Sequence, residues 1–279
     1  MFAQWDDHET LNNWYPGELL DDPRYTEKNV SLLAARAKRA FLEYMPIRQL
    51  PTAPERIHRG FSYGPGLEMF MLDMRSQREA NSSNLQDAGD PAASLMGTAQ
   101  VDELIAGLAA SQATWKVIAS DMPIGLVVAD GDNFEAVANG DNAGPKGREH
   151  EIARLLKAIH DQDIDNVVWL TADVHYTAAH HYSPERASFK DFTPFWEFVS
   201  GPLHAGTFGP NGLDGTFGPE VVFQKAPADG RVNLPPSEGY QFFGQVDLEG
   251  ESHELTVTLK DAAGTTLHTQ RLSPQGRHT

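Results

Sequence analysis

Two short clusters of acidic and imidazole side chains could do chemistry together. Residues 6–9 are Asp-Asp-His-Glu, and residues 173–175 are Asp-Val-His. Carboxylate oxygens combined with imidazole nitrogens suit iron, manganese or zinc, whereas carboxylates alone suit calcium. A carboxylate can hold such a metal while the adjacent histidine donates a proton to a leaving group. Both clusters are therefore candidates for metal-assisted chemistry.

Each cluster also has a structural interpretation. Residues 6–9 could form a solvated acidic segment, and Asp173 could cap a turn at a strand end beside a partly buried His175. In extended backbone, however, side chains two residues apart point to the same side. We therefore expect Asp173 and His175 to face one site.

Other charged or imidazole side chains are weaker candidates. Arg75 and Arg78 follow an apolar run and could clamp a phosphate bidentately, or form salt bridges with nearby carboxylates. His204 lies in a glycine-rich segment and is a candidate for binding substrate. The adjacent histidines at 180–181 could reach a site, but such pairs are also common on surfaces.

Composition narrows the classes of function. The chain has 279 residues, with 22 basic and 39 acidic side chains, a formal net charge of −17 and no cysteine. The absence of cysteine excludes disulfides, zinc fingers, iron–sulfur clusters and a thiol nucleophile. The acidic balance argues against duplex nucleic acid as a partner, because that binding needs clustered Lys and Arg. A small phosphate ester remains compatible, because bound metal ions can reverse the local field.

The elements that must position the candidates alternate between helix and strand. This alternation predicts an α/β layered core, and such sheets carry their sites beyond the carboxyl ends of the strands. Residues 173–175 directly follow a predicted strand. Helices are predicted from an N-cap at Ser31 to a stop at Pro46, at 101–108 and at 152–159, and strands at 68–72, 116–121 and 166–171.

Long polar segments and a β-rich tail complete the chain. Residues 76–97, 129–147 and 200–239 are predicted to be loops, the first of them exposed. Residues 240–272 contain three runs in which apolar residues either alternate with polar ones or follow one another. These runs predict an antiparallel meander. We expect a single domain over residues 1–279 that includes this meander.

Several of these motifs together resemble a known family. Trp5-Asp6-Asp7-His8-Glu9, followed by Asn12-Asn13-Trp14, is similar to the Trp-Asp-Asp-His segment of the PhoD-like alkaline phosphatases. These are metal-dependent phosphoesterases of the calcineurin-like superfamily. Further segments resemble the family in the same order, namely residues 63–65, 72–76, 113–118, 166–175 and 197–202.

The resemblance implies a fold, a reaction and roles for particular residues. The fold is a four-layer α/β/β/α sandwich, and the reaction is hydrolysis of phosphate mono- or diesters by metal-activated water. Asp7, Asp173 and His175 match metal ligands, with iron, calcium, manganese or zinc as the expected ions. His8 matches the histidine that contacts phosphate and assists the leaving group. Arg75 and His204 are the candidates for binding substrate.

The sequence departs from the family pattern in two places. Ala172 stands where the family usually has glycine. The family's N-terminal half, which supplies the leading aspartate ligands, has no counterpart here, so we expect a fold that lacks its N-terminal part. The alternative function is then a non-catalytic scaffold or subunit, with a missing N-terminal segment or self-association as the partner. The resemblance also implies a periplasmic or extracellular location for a full-length parent, although this chain begins without a signal segment.

Overall fold

The computed structural model describes residues 2–228 and 230–276. Three α-helices lie in this part of the chain: α1 (Val30–Tyr44), α2 (Thr98–Ala110) and α3 (Glu149–Asp161). The strands are β1 (Arg59–Ser62), β2 (Leu67–Met71), β3 (Trp115–Ala119), β4 (Leu126–Val127), β5 (Ala129–Asp130), β6 (Asn133–Phe134), β7 (Val167–Thr171), β8 (Thr177–Tyr182), β9 (Phe195–Val199), β10 (Gly212–Leu213), β11 (Pro219–Lys225), β12 (Phe242–Leu248), β13 (Leu255–Asp261) and β14 (Thr266–Leu272).

A seven-stranded mixed sheet forms the centre of the molecule. Its strand order is β1-β2-β3-β7-β9-β8-β11. The four strands β2, β3, β7 and β9 are mutually parallel, while β1, β8 and β11 pair antiparallel at the two sides. The α/β prediction is thus confirmed, whereas the four-layer sandwich stays a prediction.

Helices cover one face of this sheet. The apolar residues of α2 and α3 recur at helical spacing and bury themselves against sheet residues such as Phe70, Ile118 and Trp169. Each such aliphatic side chain contributes about 1.5–3 kcal/mol when fully buried. The helix residues of this core are Val101, Leu104, Leu108, Ile152, Leu155, Leu156 and Ile159. No helix of the described residues is long and apolar enough to cross a lipid bilayer.

The predicted meander is confirmed and covers the opposite face. Strands β12, β13 and β14 form an antiparallel three-stranded sheet. Alternate residues of β13 (Leu255, Val257 and Leu259) pack against Trp115 and Phe198 of the central sheet. The seven-stranded sheet is therefore fixed from both sides, and the ends of its parallel strands are held in place.

Four local predictions are wrong. The N-cap of α1 is Asn29, whose side chain accepts from the backbone N–H of Leu32, while Ser31 lies within the first turn. Strands β5 and β6 lie within the predicted loop 129–147, and β10 and β11 lie within the predicted loop 200–239. Strand β11 pairs only with β8 and is half-exposed, so it lacks the continuous apolar run of an inner strand. The predicted exposed loop 76–97 contains the fully buried Leu95 and Met96.

Candidate functional site

Three aspartates occupy equivalent places at the carboxyl ends of parallel strands. Asp73 lies two residues beyond β2, Asp121 two residues beyond β3, and Asp173 two residues beyond β7. Because these strands are neighbours and run in the same direction, the three side chains are carried to the same edge of the sheet. This edge is where open α/β sheets place their sites.

Arg75 lies at the centre of this edge and is fully buried. Its guanidinium contacts carboxylates from four separate segments of the chain. Nε lies 2.7 Å from Asp6 Oδ1 and 3.2 Å from Asp121 Oδ2. Nη2 lies 2.9 Å from Glu135 Oε1 and 3.7 Å from Asp173 Oδ1. We call these five residues the Arg75 cluster. Through it, the N-terminal acidic segment meets the end of β7.

Negative charge exceeds positive charge within the Arg75 cluster. Burial, followed by the charge of Asp6, raises the pKa of Asp121 well above its usual value. Burial also raises the pKa of Asp173, with further contributions from Asp6 and Glu135. Burial alone would raise the pKa of Asp6 too, but the charge of Arg75 and a hydrogen bond from Asp121 bring it below its usual value. One guanidinium therefore does not neutralise the four carboxyl groups, and the site favours an additional cation.

Asp7 and His8 lie in contrasting environments. Asp7 is only 4% exposed, and its Oδ2 accepts a hydrogen bond of 2.8 Å from the backbone N–H of Asn13. The side chain of His8 is 70% exposed, with Nε2 4.0 Å from Asp7 Oδ1. The segment is therefore not a uniformly solvated one, since it buries a carboxylate and leaves an imidazole accessible to solvent.

Asp173 and His175 lie in a bend, so the extended backbone expected for them is wrong, whereas their expected place at one site stays a prediction. Both have positive φ angles, 61° and 59°. His175 Nδ1 lies 2.5 Å from the carbonyl oxygen of Gly206, an acceptor, so Nδ1 is the donor. In the neutral ring, Nε2 then carries the lone pair, which is the arrangement that metal-binding histidines use.

The remaining candidates differ in accessibility. His204 is exposed in the segment that follows β9, two residues before the Gly206 carbonyl. His180 is fully buried on β8, so the interpretation of residues 180–181 as a surface pair is wrong for this residue. Arg75 forms the salt bridges that its structural interpretation anticipated, and the substrate-binding roles of Arg75 and His204 stay predictions.

Two further arginines lie beside the Arg75 cluster and bind backbone carbonyl groups. Arg148 Nη1 donates to the carbonyl oxygen of Glu135 at 2.7 Å, and Arg78 Nη2 donates to the same oxygen at 2.8 Å. The amide nitrogen of Asn13, once its side chain is oriented to donate, lies 2.8 and 2.9 Å from the two carboxylate oxygens of Glu135. Glu135 is therefore held through both its main chain and its side chain.

Sequence reasoning missed Asp6, Asp121 and Glu135 as members of the site. Asp121 had a usable signal, because it ends a predicted strand just as Asp173 follows one. Glu135 lies in a long predicted loop and carries no local signal. Asp6 belongs to the recognised acidic segment, but its contact with Arg75 spans 69 residues of sequence.

The side chains at this edge include the kinds of atom that bind metal ions, namely His175 Nε2 and the carboxylate oxygens that Arg75 alone does not neutralise. Their arrangement is incomplete, because residues 2–228 and 230–276 contain no group of three or more histidine, aspartate or glutamate side chains placed to hold one. Asp7, Asp173 and His175 stay predicted ligands.

Comparisons with known proteins give the family and the fold. The family model described as PhoD-like phosphatase matches residues 1–259. Alkaline phosphatase D of Bacillus subtilis (strain 168) is 30% identical over 242 residues, which are 80% of this chain and 38% of that protein. A solved structure described as "Structure of PhoD" matches with a TM-score of 0.59 and 22% sequence identity. The match covers 99% of this chain and 55% of the chain in that structure. The chain thus spans about two fifths of its curated relative.

Proposed function

Because this chain belongs to the PhoD-like phosphatase family, we propose that it hydrolyses phosphate esters at the Arg75 cluster. The observation that carries the proposal is the double contact of Arg75, whose Nε lies 2.7 Å from Asp6 Oδ1 and whose Nη2 lies 3.7 Å from Asp173 Oδ1. Residues 6–8 and 173–175 are thereby brought to one edge of the sheet. The two segments that sequence analysis singled out for chemistry can then act on one substrate.

Metal ions are the proposed cofactors, with iron, calcium, manganese or zinc as the candidates. Asp7, Asp173 and His175 are the proposed ligands within this chain. Bound metal ions would lower the pKa of water and offset charge on the phosphate oxygens. The charge balance supports this proposal, because surplus carboxylates would otherwise repel an anionic ester.

His8 is the proposed proton donor to the leaving group. Its imidazole is largely exposed and lies beside the buried Asp7, so it can reach a substrate that enters from solvent. A positioned acid of this kind typically contributes about 10²–10⁴-fold to the rate. Both monoesters and diesters are candidate substrates, because the proposed ligands alone do not set the size of the substrate.

A non-catalytic role as a scaffold or subunit is the second candidate function. It is favoured by the lack of a three-ligand group among the described residues. The two candidates differ in one clear consequence: a scaffold would not release nitrophenol from a phosphate ester at a rate that depends on Asp173.

The test compares the D173N variant with a matched control. Nitrophenyl phosphate and bis(nitrophenyl) phosphate are offered to the wild-type protein, to D173N and to D161N. Asp161 is an exposed aspartate at the end of α3 that pairs with Lys157, so D161N removes a similar charge away from the site. We expect D173N to lose about 10²–10³-fold in kcat/KM and D161N to keep its activity. Full activity in D173N would overturn the proposal.

A further inference from the structure

Glu197 is a carboxyl group buried in the core of the central sheet. It lies on β9 and is fully shielded from solvent, as are His180 and Tyr182 on the neighbouring β8. Glu197 Oε2 accepts hydrogen bonds from His180 Nδ1 at 2.9 Å and from the Tyr182 hydroxyl at 2.8 Å. Burying a carboxyl group is costly unless it is fully hydrogen-bonded, and these contacts offset that cost.

The same network binds the backbone of the loop that follows β3. The N–H of Ile124 donates to Glu197 Oε1 at 2.7 Å, and the N–H of Gly125 donates to the Tyr182 hydroxyl at 2.9 Å. Buried backbone donors need acceptors, and here side chains from β8 and β9 supply them. A Cβ atom at Gly125 would lie 2.9 Å from the Tyr182 hydroxyl, so glycine allows the close approach.

The loop of residues 121–125 joins this network to the proposed site. At its other end, the Asp121 carboxyl contacts Arg75. The Asp121 carbonyl oxygen accepts a hydrogen bond of 2.9 Å from the N–H of Ala172, the residue before Asp173. The backbone position of Asp121 therefore affects its own side chain and also the segment that carries Asp173.

We propose that Glu197 and Tyr182 are positioning residues, which hold the loop of residues 121–125 so that Asp121 and Asp173 keep their places around Arg75. They act through the loop and touch neither substrate nor metal. This inference rests on the proposed phosphoesterase function. An apolar pair of side chains would fill the same space in the core but would leave the N–H groups of Ile124 and Gly125 unpaired.

The test uses two variants that remove hydrogen bonds and one that removes packing. Y182F keeps the ring and loses the hydroxyl, and E197Q keeps the shape but cannot accept all of the bonds. F195L is the control, because the Phe195 ring stacks on Tyr182 with centroids 4.4 Å apart and takes no part in the network. Each variant is measured for amide exchange at Ile124 and Gly125, for the Arg75 Nε–H resonance and for kcat and KM with nitrophenyl phosphate.

We expect Y182F and E197Q to speed amide exchange in the loop by about tenfold, as the loss of one hydrogen bond implies. The Arg75 resonance should shift, and kcat should fall by about tenfold with KM changed by less than about twofold. F195L should leave the Arg75 resonance and kcat near their wild-type values. An unshifted Arg75 resonance in both polar variants, or an equal shift in F195L, would overturn the inference.

Failure of the proposed function gives a different result. If the wild-type protein hydrolyses no phosphate ester, the phosphoesterase proposal fails, while amide exchange and the Arg75 resonance still decide whether the network positions the loop. If the wild-type protein is active and kcat is unchanged in Y182F and E197Q, the positioning role fails while the function stands.

Discussion

Arg75 and Arg148 are both buried, yet different groups surround them. Arg75 contacts the carboxylates of its cluster, whereas Arg148 donates mainly to backbone carbonyl oxygens of residues 79–80 and 134–136. Burial lowers the pKa of both guanidiniums. Around Arg75 the carboxylates outweigh burial and raise its pKa, while the pKa of Arg148 falls to about 9 through burial and then the charges of Arg78 and Arg75.

The Arg75 cluster is therefore a charged site. Arg148 and the carbonyl groups of residues 79–80 and 134–136 lie beside it, and we call them the support region. Carboxylates around Arg75 create surplus negative charge at the sheet edge, which is useful for binding cations. Carbonyl groups around Arg148 add no net charge and fix the two loops that they belong to. The two regions meet at Glu135, whose carbonyl oxygen binds Arg148 and whose carboxylate binds Arg75. The support region thus holds the Glu135 carboxylate in place beside Arg75.

Replacing Arg75 should have the largest effect. In R75M the carboxyl groups of Asp6, Asp121, Glu135 and Asp173 lose their shared buried partner. We expect a loss of about 3–5 kcal/mol in the free energy of unfolding, as for other broken buried ion pairs. Denaturant unfolding measures this loss. R24M is the control, because Arg24 is 84% exposed in its pair with Asp22. A loss within the range of that control would show that the Arg75 contacts do not stabilise the fold.

Glu149, the residue that follows Arg148, should have the second-largest effect, through the pH dependence of stability. Glu149 is fully buried, and burial, followed by the charge of Asp214, raises its pKa to about 8. Its folded pKa lies above its unfolded value, so its contribution to stability is full below the unfolded pKa and is lost as pH rises through about 8.

We therefore expect the wild-type free energy of unfolding to fall between about pH 5 and pH 8.5, by about 2–4 kcal/mol more than in E149Q. Denaturant unfolding at several pH values measures the difference between the two proteins. Parallel pH profiles for wild type and E149Q would contradict the buried, raised-pKa state of Glu149.

Replacing Arg148 should have the smallest effect of the three. R148M leaves several carbonyl groups without a donor but also removes a buried charge, so the two contributions partly cancel. We expect a loss of about 1–3 kcal/mol, with less effect on hydrolysis than in R75M. Paired unfolding and hydrolysis measurements on the two variants decide the order. If R148M proves more damaging than R75M by both measures, the distinction between charged site and support is lost.

The sequence predicted the parts of the fold that local pattern controls. Helices α2 and α3, the strands β2, β3 and β7 and the meander follow from apolar periodicity and apolar runs, and the position of Asp173 follows from the strand before it. The positive φ angles of Asp173 and His175 could not be anticipated, because residues other than glycine seldom adopt them. At residues 180–181, neighbouring side chains on a strand face opposite sides, which explains why His180 is buried while His181 is partly exposed.

The complete composition of the Arg75 cluster could not be predicted from the sequence. Its four carboxylates come from four distant segments, and Glu135 is placed by Arg148, Arg78 and Asn13 and by no local motif. The sequence indicated that Arg75 would bind either phosphate or carboxylates. Only the folded structure shows which carboxylates surround it.

The most direct test of the proposed site is metal content measured together with phosphate release. The purified wild-type protein, H175A and H160A are analysed for bound metal and assayed with nitrophenyl phosphate, before and after treatment with a chelator. His160 is an exposed histidine near the end of α3 and serves as the control. We expect metal in the wild-type protein and in H160A, less in H175A, and hydrolysis that is lost with the metal and restored with it. Undiminished hydrolysis by the metal-stripped protein, or equal metal content in H175A, would contradict the account.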